Sequence, residues 1–182
     1  MLTVDLLWTT DLTPGDYADM AGLFDSEYAA DWGPWNPKHG YGYAAGELHA
    51  LARRDGQLLG YAATARRFIG VGAGEVLVAG TGGVLTRKDC RGTGIGREVL
   101  SALRDASCSF APAQFGLLGC REEVVPFYRA CGYTRVHSAI VDVSPLDAVT
   151  VSRSQGPTMI CAGTQAVHMW PEGTIDLRGL PW

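Results

Sequence analysis

Val84-Leu85-Thr86-Arg87-Lys88-Asp89-Cys90-Arg91-Gly92-Thr93-Gly94-Ile95-Gly96 is the stretch on which the reading of this chain turns. It leaves a strand-like run, passes through a glycine-dense turn and enters a helix. Ile95, Val99, Leu103 and Ala106 draw one apolar stripe along that helix. Such a turn aims several backbone N–H groups at one anion, and the helix dipole adds partial positive charge at the same point. Glycine lets the backbone approach phosphate oxygens with no Cβ in the way, and Thr93 offers a hydroxyl donor. The stretch therefore reads as a pyrophosphate-binding turn. No Gly-Lys-Ser/Thr follows the glycines, so it is not a nucleotide-triphosphate loop. The G-x-G-x-G spacing, with no acid ending a strand about 20 residues later, also departs from the dinucleotide fingerprint.

Upstream, residues 2–8 alternate loosely as a first strand, and Tyr17, Met20, Ala21 and Phe24 mark a helix. Residues 30–46 are rich in Gly, Trp, Tyr and Pro and read as a long loop, either a lid or an aromatic-anchored cover. From Glu47 the pattern is strands: His49 onward, a turn at Asp55-Gly56, a long return from Leu58, a turn over Gly70–Gly74, and Glu75 to Thr86. Gly80, Gly82 and Gly83 interrupt that third strand, which marks a bulge or a close backbone approach. Downstream come a short buried strand at 115–119 and a short helix carrying Val125, Phe127, Tyr128 and Cys131, with Gly132 ending it. Strands at about 133–143 and 157–163 follow, with a polar connection over 144–156 and a tail over 164–182 holding one more short strand. The order is α+β in a single domain, 1–182.

Composition narrows the function. Apolar residues make up 47% and charged residues 19%, with a net charge of −4, which lends nucleic-acid binding no support. Five cysteines with no C-x-x-C pair argue against a disulfide scaffold or a zinc site. No apolar run approaches the roughly 20 residues of a membrane span, and the first residues do not read as a secretory signal. A cytoplasmic protein without a metal, and without a membrane or nucleic-acid partner, is the expectation; a homodimer is left open.

Arg91-Gly92-Thr93-Gly94-Ile95-Gly96 resembles the acyl-CoA signature Q/R-x-x-G-x-G/A of the GNAT acyltransferase superfamily. Pro126-Phe127-Tyr128-Arg129-Ala130-Cys131-Gly132-Tyr133 resembles that superfamily's later P-F-Y-x-x-x-G-F/Y segment, at a fitting distance. More narrowly, Arg66-Arg67-Phe68-Ile69 and Trp170 to Asp176 are similar to the rhizobial nodulation N-acyltransferases, which acylate the free amine of a chitooligosaccharide from an acyl carrier protein. Asp176-Leu177-Arg178-Gly179-Leu180-Pro181-Trp182 is similar to the ending of the aminoglycoside 2′-N-acetyltransferases. The resemblance implies a GNAT fold, with a twisted, mostly antiparallel sheet of about six or seven strands, splayed at the acyl-CoA site and flanked by helices.

It also implies an activity: transfer of an acetyl or other acyl group from acyl-CoA, a co-substrate, to a primary amine of a small molecule such as an amino sugar, aminocyclitol or aminoglycoside. Two alternatives stand beside it, a longer-chain transferase using acyl carrier protein and a non-catalytic acyl-CoA sensor. Val84, Leu85 and Thr86 are implied to bind pantetheine through the backbone of the splayed strand and to polarise the thioester carbonyl. Arg91, Gly92, Thr93, Gly94, Ile95 and Gly96 are implied to hold the diphosphate, and Tyr128 to protonate the departing sulfur. Both narrower families carry a glutamate in the strand before the turn, whereas Ala79-Gly80-Thr81-Gly82-Gly83 has none. The candidates for the base are then His168, Asp176, Glu75 and, by analogy with the aminoglycoside enzymes, the carboxylate of Trp182. Asp25 and Asp31, next to Glu27, with Trp32 and Trp35, are candidates for holding a cationic amino sugar. Arg66, Arg67, Arg87, Lys88, Arg91 and Arg97 either meet an acidic carrier or serve CoA phosphates.

Overall fold

The computed structural model describes residues 1–182 and gathers ten strands into one sheet. β1 (Leu2–Trp8) leads to α1 (Pro14–Trp32). Thr13 and Asp16 form a reciprocal capping box at the start of α1, Pro14 fits its first turn, and Gly33 ends it. The helix lays Met20, Leu23 and Phe24 on the sheet. The antiparallel strands β2 (Leu48–Arg54), β3 (Gln57–Val71) and β4 (Gly74–Thr86) follow, with β2 and β3 joined at Asp55-Gly56 as the sequence requires. α2 (Ile95–Cys108) covers the opposite face from α1. Its stripe, Ile95, Val99, Leu103 and Ala106, is fully buried against Leu48, Ala50, Leu59 and Ala62.

β5 (Phe115–Gly119), α3 (Val125–Ala130), β6 (Thr134–Val136), β7 (Ile140–Val143), β8 (Val151–Ser154), β9 (Thr158–Ala162) and β10 (Ile175–Asp176) complete the chain. The sheet order is β6-β9-β5-β4-β3-β10-β7-β8, with β2 and then β1 on the other half of β3. The expected polar connection over 144–156 contains β8, and β7, β8 and β10 carry the sheet past six or seven strands. Val151-Ser152-Arg153-Ser154 shows almost no apolar alternation because β8 is an exposed edge, defined by pairing with β7 rather than by burial. No helix is long and apolar enough to cross a membrane.

Two features of β4 position the site. Gly83 and Val84 together oppose the single residue Ala62, a bulge in which Gly83 takes φ +62°. Beside it, β4 and β5 pair in parallel only through Val78–Gly80 and Phe115–Leu117. Beyond those pairs the two strands part, and one edge of β4 from Thr81 to Thr86 has no strand partner.

Candidate active site

The mouth of the parted strands is built from the turn that opened the sequence reading. Gly92 and Gly94 take φ +77° and +91°, and space is open where their Cβ atoms would stand. Gly94 caps α2 without a side-chain hydrogen bond, and the amides of residues 92–96 donate to no group in the protein. Five successive free N–H groups at the N-terminus of a 14-residue helix form a cradle of the size and polarity a diphosphate requires. The residues present therefore fit the diphosphate of CoA. The Thr93 hydroxyl does not join them: it donates to the Cys90 carbonyl at 2.6 Å and so shapes the turn. The Arg91 guanidinium pairs with Glu27 of α1, whose other carboxylate oxygen is buried without a partner.

The strand leading in is open as the resemblance implied. The Arg87 amide donates to Leu59 on β3 at 2.8 Å, so strand alternation turns the Thr86 amide toward the unpaired edge. The Leu85 side chain is buried beneath α1, while Val84 packs between α2 and α3. Across the gap, the Tyr128 ring lies against Tyr133 at 5.8 Å and Phe127 at 5.1 Å. Burial pushes its phenol well above the ordinary tyrosine range, and the nearby Cys120, Cys131 and Tyr28 add to the effect. At neutral pH Tyr128 is a protonated donor, with no hydrogen bond engaging its hydroxyl within the protein.

Of the candidate bases, only Trp182 reaches this region. A Cβ on Gly80 would overlap its indole, and one on Gly82 would stand 2.6 Å from its main-chain carbon, so the tail lies directly on the glycine strand. Arg67 holds it there. The guanidinium sits 4.2 Å from the indole centroid and donates to the Leu177 and Leu180 carbonyls at 2.9 and 2.8 Å. The indole Nε1 is buried without a partner. Asp176 pairs opposite Gly70, seven residues along β3 from the Ala63–Gly82 pair, or roughly 23 Å away. There it accepts the Arg178 amide at 2.9 Å. Glu75 pairs with Arg178 at the start of β4. His168 is exposed, in the turn that packs Trp170 on Phe115.

The acceptor candidates divide as well. Trp35 stacks on Phe24 at 5.1 Å with a 7° interplanar angle, and its amide donates to Asp25 at 2.6 Å. These two residues anchor the aromatic loop, which is a cover pinned by its own rings. Ala44 of that loop donates to Pro181 of the tail at 2.8 Å, joining loop and tail over the same face. Asp31 and Trp32 are exposed. Arg66 pairs with Glu47 and Arg87 with Asp89, while Lys88 and Arg97 are exposed beside the turn.

One group escaped the sequence reading. His49 lies in the cross-sheet row His49–Ala63–Gly82, roughly 10 Å from Gly82. Its Nδ1 meets the Tyr61 hydroxyl at 2.7 Å and its Nε2 meets Thr9 Oγ1 at 3.0 Å. Burial lowers its pKa to about 4. A lone histidine in an apolar strand carries no signal of such partners.

An anion cradle at the mouth of a parted strand pair is the arrangement of the GNAT fold, and this chain has that fold. The fold matches solved structures from Escherichia coli, among them a GNAT family N-acetyltransferase, YhbS. YhbS in complex with CoA gives a TM-score of 0.62 at 15% identity, covering 97% of this chain and 91% of that one. ElaA gives 0.60 at 16% identity, covering 88% and 99%. Over residues 1–180 the sequence matches the family Nodulation protein A (NodA), and the chain belongs to that family. Nodulation protein A of Azorhizobium caulinodans is 28% identical over 97% of this chain and 82% of its own. That of Rhizobium leguminosarum bv. trifolii is 27% identical over 95% and 93%.

Proposed function

We propose that this N-acyltransferase moves an acyl group from acyl-CoA to the primary amine of an amino sugar or a related small amine, both substrates bound together. The observation that carries the reading is the run of five unpartnered amides at residues 92–96, opening onto the unpaired edge of β4. A thioester supplies an activated acyl carbon. The residues of this chain do the rest. The cradle binds the diphosphate, the Thr86 amide and the bulge at Gly83 and Val84 orient the pantetheine arm, and a β4 amide faces the carbonyl oxygen as its charge grows. Tyr128 donates to the departing sulfur from the other side of the gap. The loop over 33–46 and the tail to Trp182 wall the face from which an amine would approach.

The test is calorimetry with CoA together with thiol release from acetyl-CoA over a panel of amino sugars, aminocyclitols and aminoglycosides. Parent protein should bind CoA and release thiol with an amine present. Tyr128→Phe should bind CoA within threefold of the parent while turnover falls about ten- to a hundredfold. Turnover within twofold of the parent would remove Tyr128 from the mechanism. Family membership favours a second reading, transfer of longer chains from an acyl carrier protein, with Lys88 and Arg97 meeting the acidic carrier. Turnover with acyl carrier protein and none with acyl-CoA would select it.

A further inference from the structure

Two rings stand where a side chain on Gly83 would be. A Cβ there would lie 3.0 Å from Cε1 of Tyr61 and 3.2 Å from Cζ of Phe24. The bulge, with Gly83 at φ +62°, therefore rests on the Tyr61 ring, which Phe24 of α1 meets edge-on at 5.4 Å. Tyr61 is 5% exposed and pairs opposite Leu85, so it reaches the bulge from the neighbouring strand. Its hydroxyl is tied down in turn. His49 Nδ1 lies 2.7 Å away and is its one hydrogen-bond partner in the protein. Thr9 Oγ1 gives its own proton to the Gly46 carbonyl at 2.9 Å, so it accepts from the His49 Nε2–H at 3.0 Å. That leaves the lone pair on Nδ1, and the Tyr61 O–H donates to it.

Burial lowers the His49 pKa to about 4 and pushes the Tyr61 phenol up, so both groups keep these roles at neutral pH. The chain of hydrogen bonds runs unbroken from the Gly46 backbone to the ring that supports Gly83. A bulge re-aims the strand that carries it, and this one stands within the unpaired edge of β4. We propose that Tyr61, anchored by His49, is a positioning residue for acyl transfer: its ring holds the Gly83 bulge so that a β4 amide points at the acyl carbonyl. The proposal rests on reading the mouth of β4 and β5 as the thioester site. Neither Tyr61 nor His49 touches the reacting atoms. They act through the backbone, where an error of about 1 Å can cost about a hundredfold in rate.

Infrared difference spectra of bound acetyl-CoA and dodecanoyl-CoA, each labelled with ¹³C at the carbonyl, test this without knowledge of the acceptor. A hydrogen bond to the carbonyl lowers its stretching frequency. In Tyr61→Leu, which takes the ring from the bulge, the bound carbonyl band should move to higher frequency than in the parent, with free CoA bound within about threefold by calorimetry. Tyr61→Phe keeps the ring and loses the anchor, so its band should move part of the way, and it stands as the test if the leucine variant does not fold. His49→Leu should reproduce Tyr61→Phe, and the double variant should add nothing further, because both remove one bond. With an amine that the parent turns over, kcat should fall about tenfold or more in Tyr61→Leu while KM for the thioester stays within about threefold. A purely structural tyrosine would lower the melting temperature and leave the band in place, and that result overturns the proposal. So would shifts in Tyr61→Phe and His49→Leu that add in the double variant. Failure of the underlying site is seen separately, as a parent that takes up no CoA or CoA thioester, and it removes both readings together.

Discussion

The two sides of the parted strands are made in opposite ways. The donor side is local: thirteen consecutive residues supply a strand end, a glycine turn and the first turn of α2. The face across the sheet is assembled from remote pieces. α1, the loop over 33–46, Gly80 and Gly82 of β4, Arg67 of β3 and the last residues of the chain meet there. A local site is specified by φ angles and by amides left free, which are properties of sequence order. A remote site is specified by packing, so its integrity depends on the tail staying down. Damage to the tail should cost stability and spare CoA binding, and damage to the turn should do the reverse.

The largest expected effect comes from lifting the tail. In Gly80→Val the new side chain would occupy the seat of the Trp182 indole. Expelling a packed tryptophan resembles truncating it, about 3–5 kcal/mol. At about 2–4 °C per kcal/mol for a chain of this length, the melting temperature should fall by roughly 6–20 °C. CoA affinity should stay within threefold. If scanning calorimetry finds the same melting temperature, the glycine strand is not what seats the tail.

His49, on the tail's face, gives the next effect. Burial disfavours its imidazolium, so the folded protein takes up that proton only near pH 4. The unfolded chain takes it up near 6.5, and across that window it binds more protons than the folded state. Stability therefore rises with pH here, and the parent should lose about 3 kcal/mol as pH falls from 6.5 to 4. His49→Gln should be less stable at pH 7 yet nearly flat across the window. Urea unfolding at pH 7.0 and 4.5 measures both. The carboxyls of Asp16 and Asp147, held below their ordinary values by Thr13 and Thr150, titrate beneath this range and do not mask it. Equal slopes for parent and variant would show that His49 is not the group responsible.

Gly94→Val probes the other side. A β-branched residue at φ +91° costs about 1–3 kcal/mol of local strain, and the turn relieves it by tilting its amides away from the anion. CoA binding should weaken about ten- to a hundredfold, while the melting temperature moves less than in Gly80→Val. Inverted results for these two glycines would erase the distinction between the sides.

The same distinction explains what the sequence made legible. The α2 stripe, the glycine turn leading into it, the hairpin at Asp55-Gly56 and the bulge or close approach at the β4 glycines are all local patterns, and each stands where it was expected. Trp35 and Asp25 could not be sorted from Trp32 and Asp31 by composition. Stacking on Phe24 is decided by where α1 lies on the sheet. Arg67 looked like one more cation in a basic patch, because nothing local marks the partners it finds 110 and 113 residues away. The glycines at 80 and 82 announced a visitor, two residues apart and so on one face of the strand, but did not name it.

The contact that joins the two sides gives the smallest effect. Arg91 of the turn pairs with Glu27 of α1, the carboxylate mostly buried and the guanidinium half-exposed. A carboxylate beside a diphosphate cradle repels the ligand, and here it also holds the one cation of the signature away from it. Glu27→Gln removes the repulsion and frees Arg91. CoA should then bind about two- to fivefold more tightly at low salt, a gain of at most about 1 kcal/mol. That gain should shrink as ionic strength rises, because the freed guanidinium is exposed and screened. The alternative is that Glu27 positions Arg91 for the ligand, in which case the variant binds CoA more weakly at every salt concentration. The sign of the change at low salt decides whether α1 restrains the donor site or helps to build it.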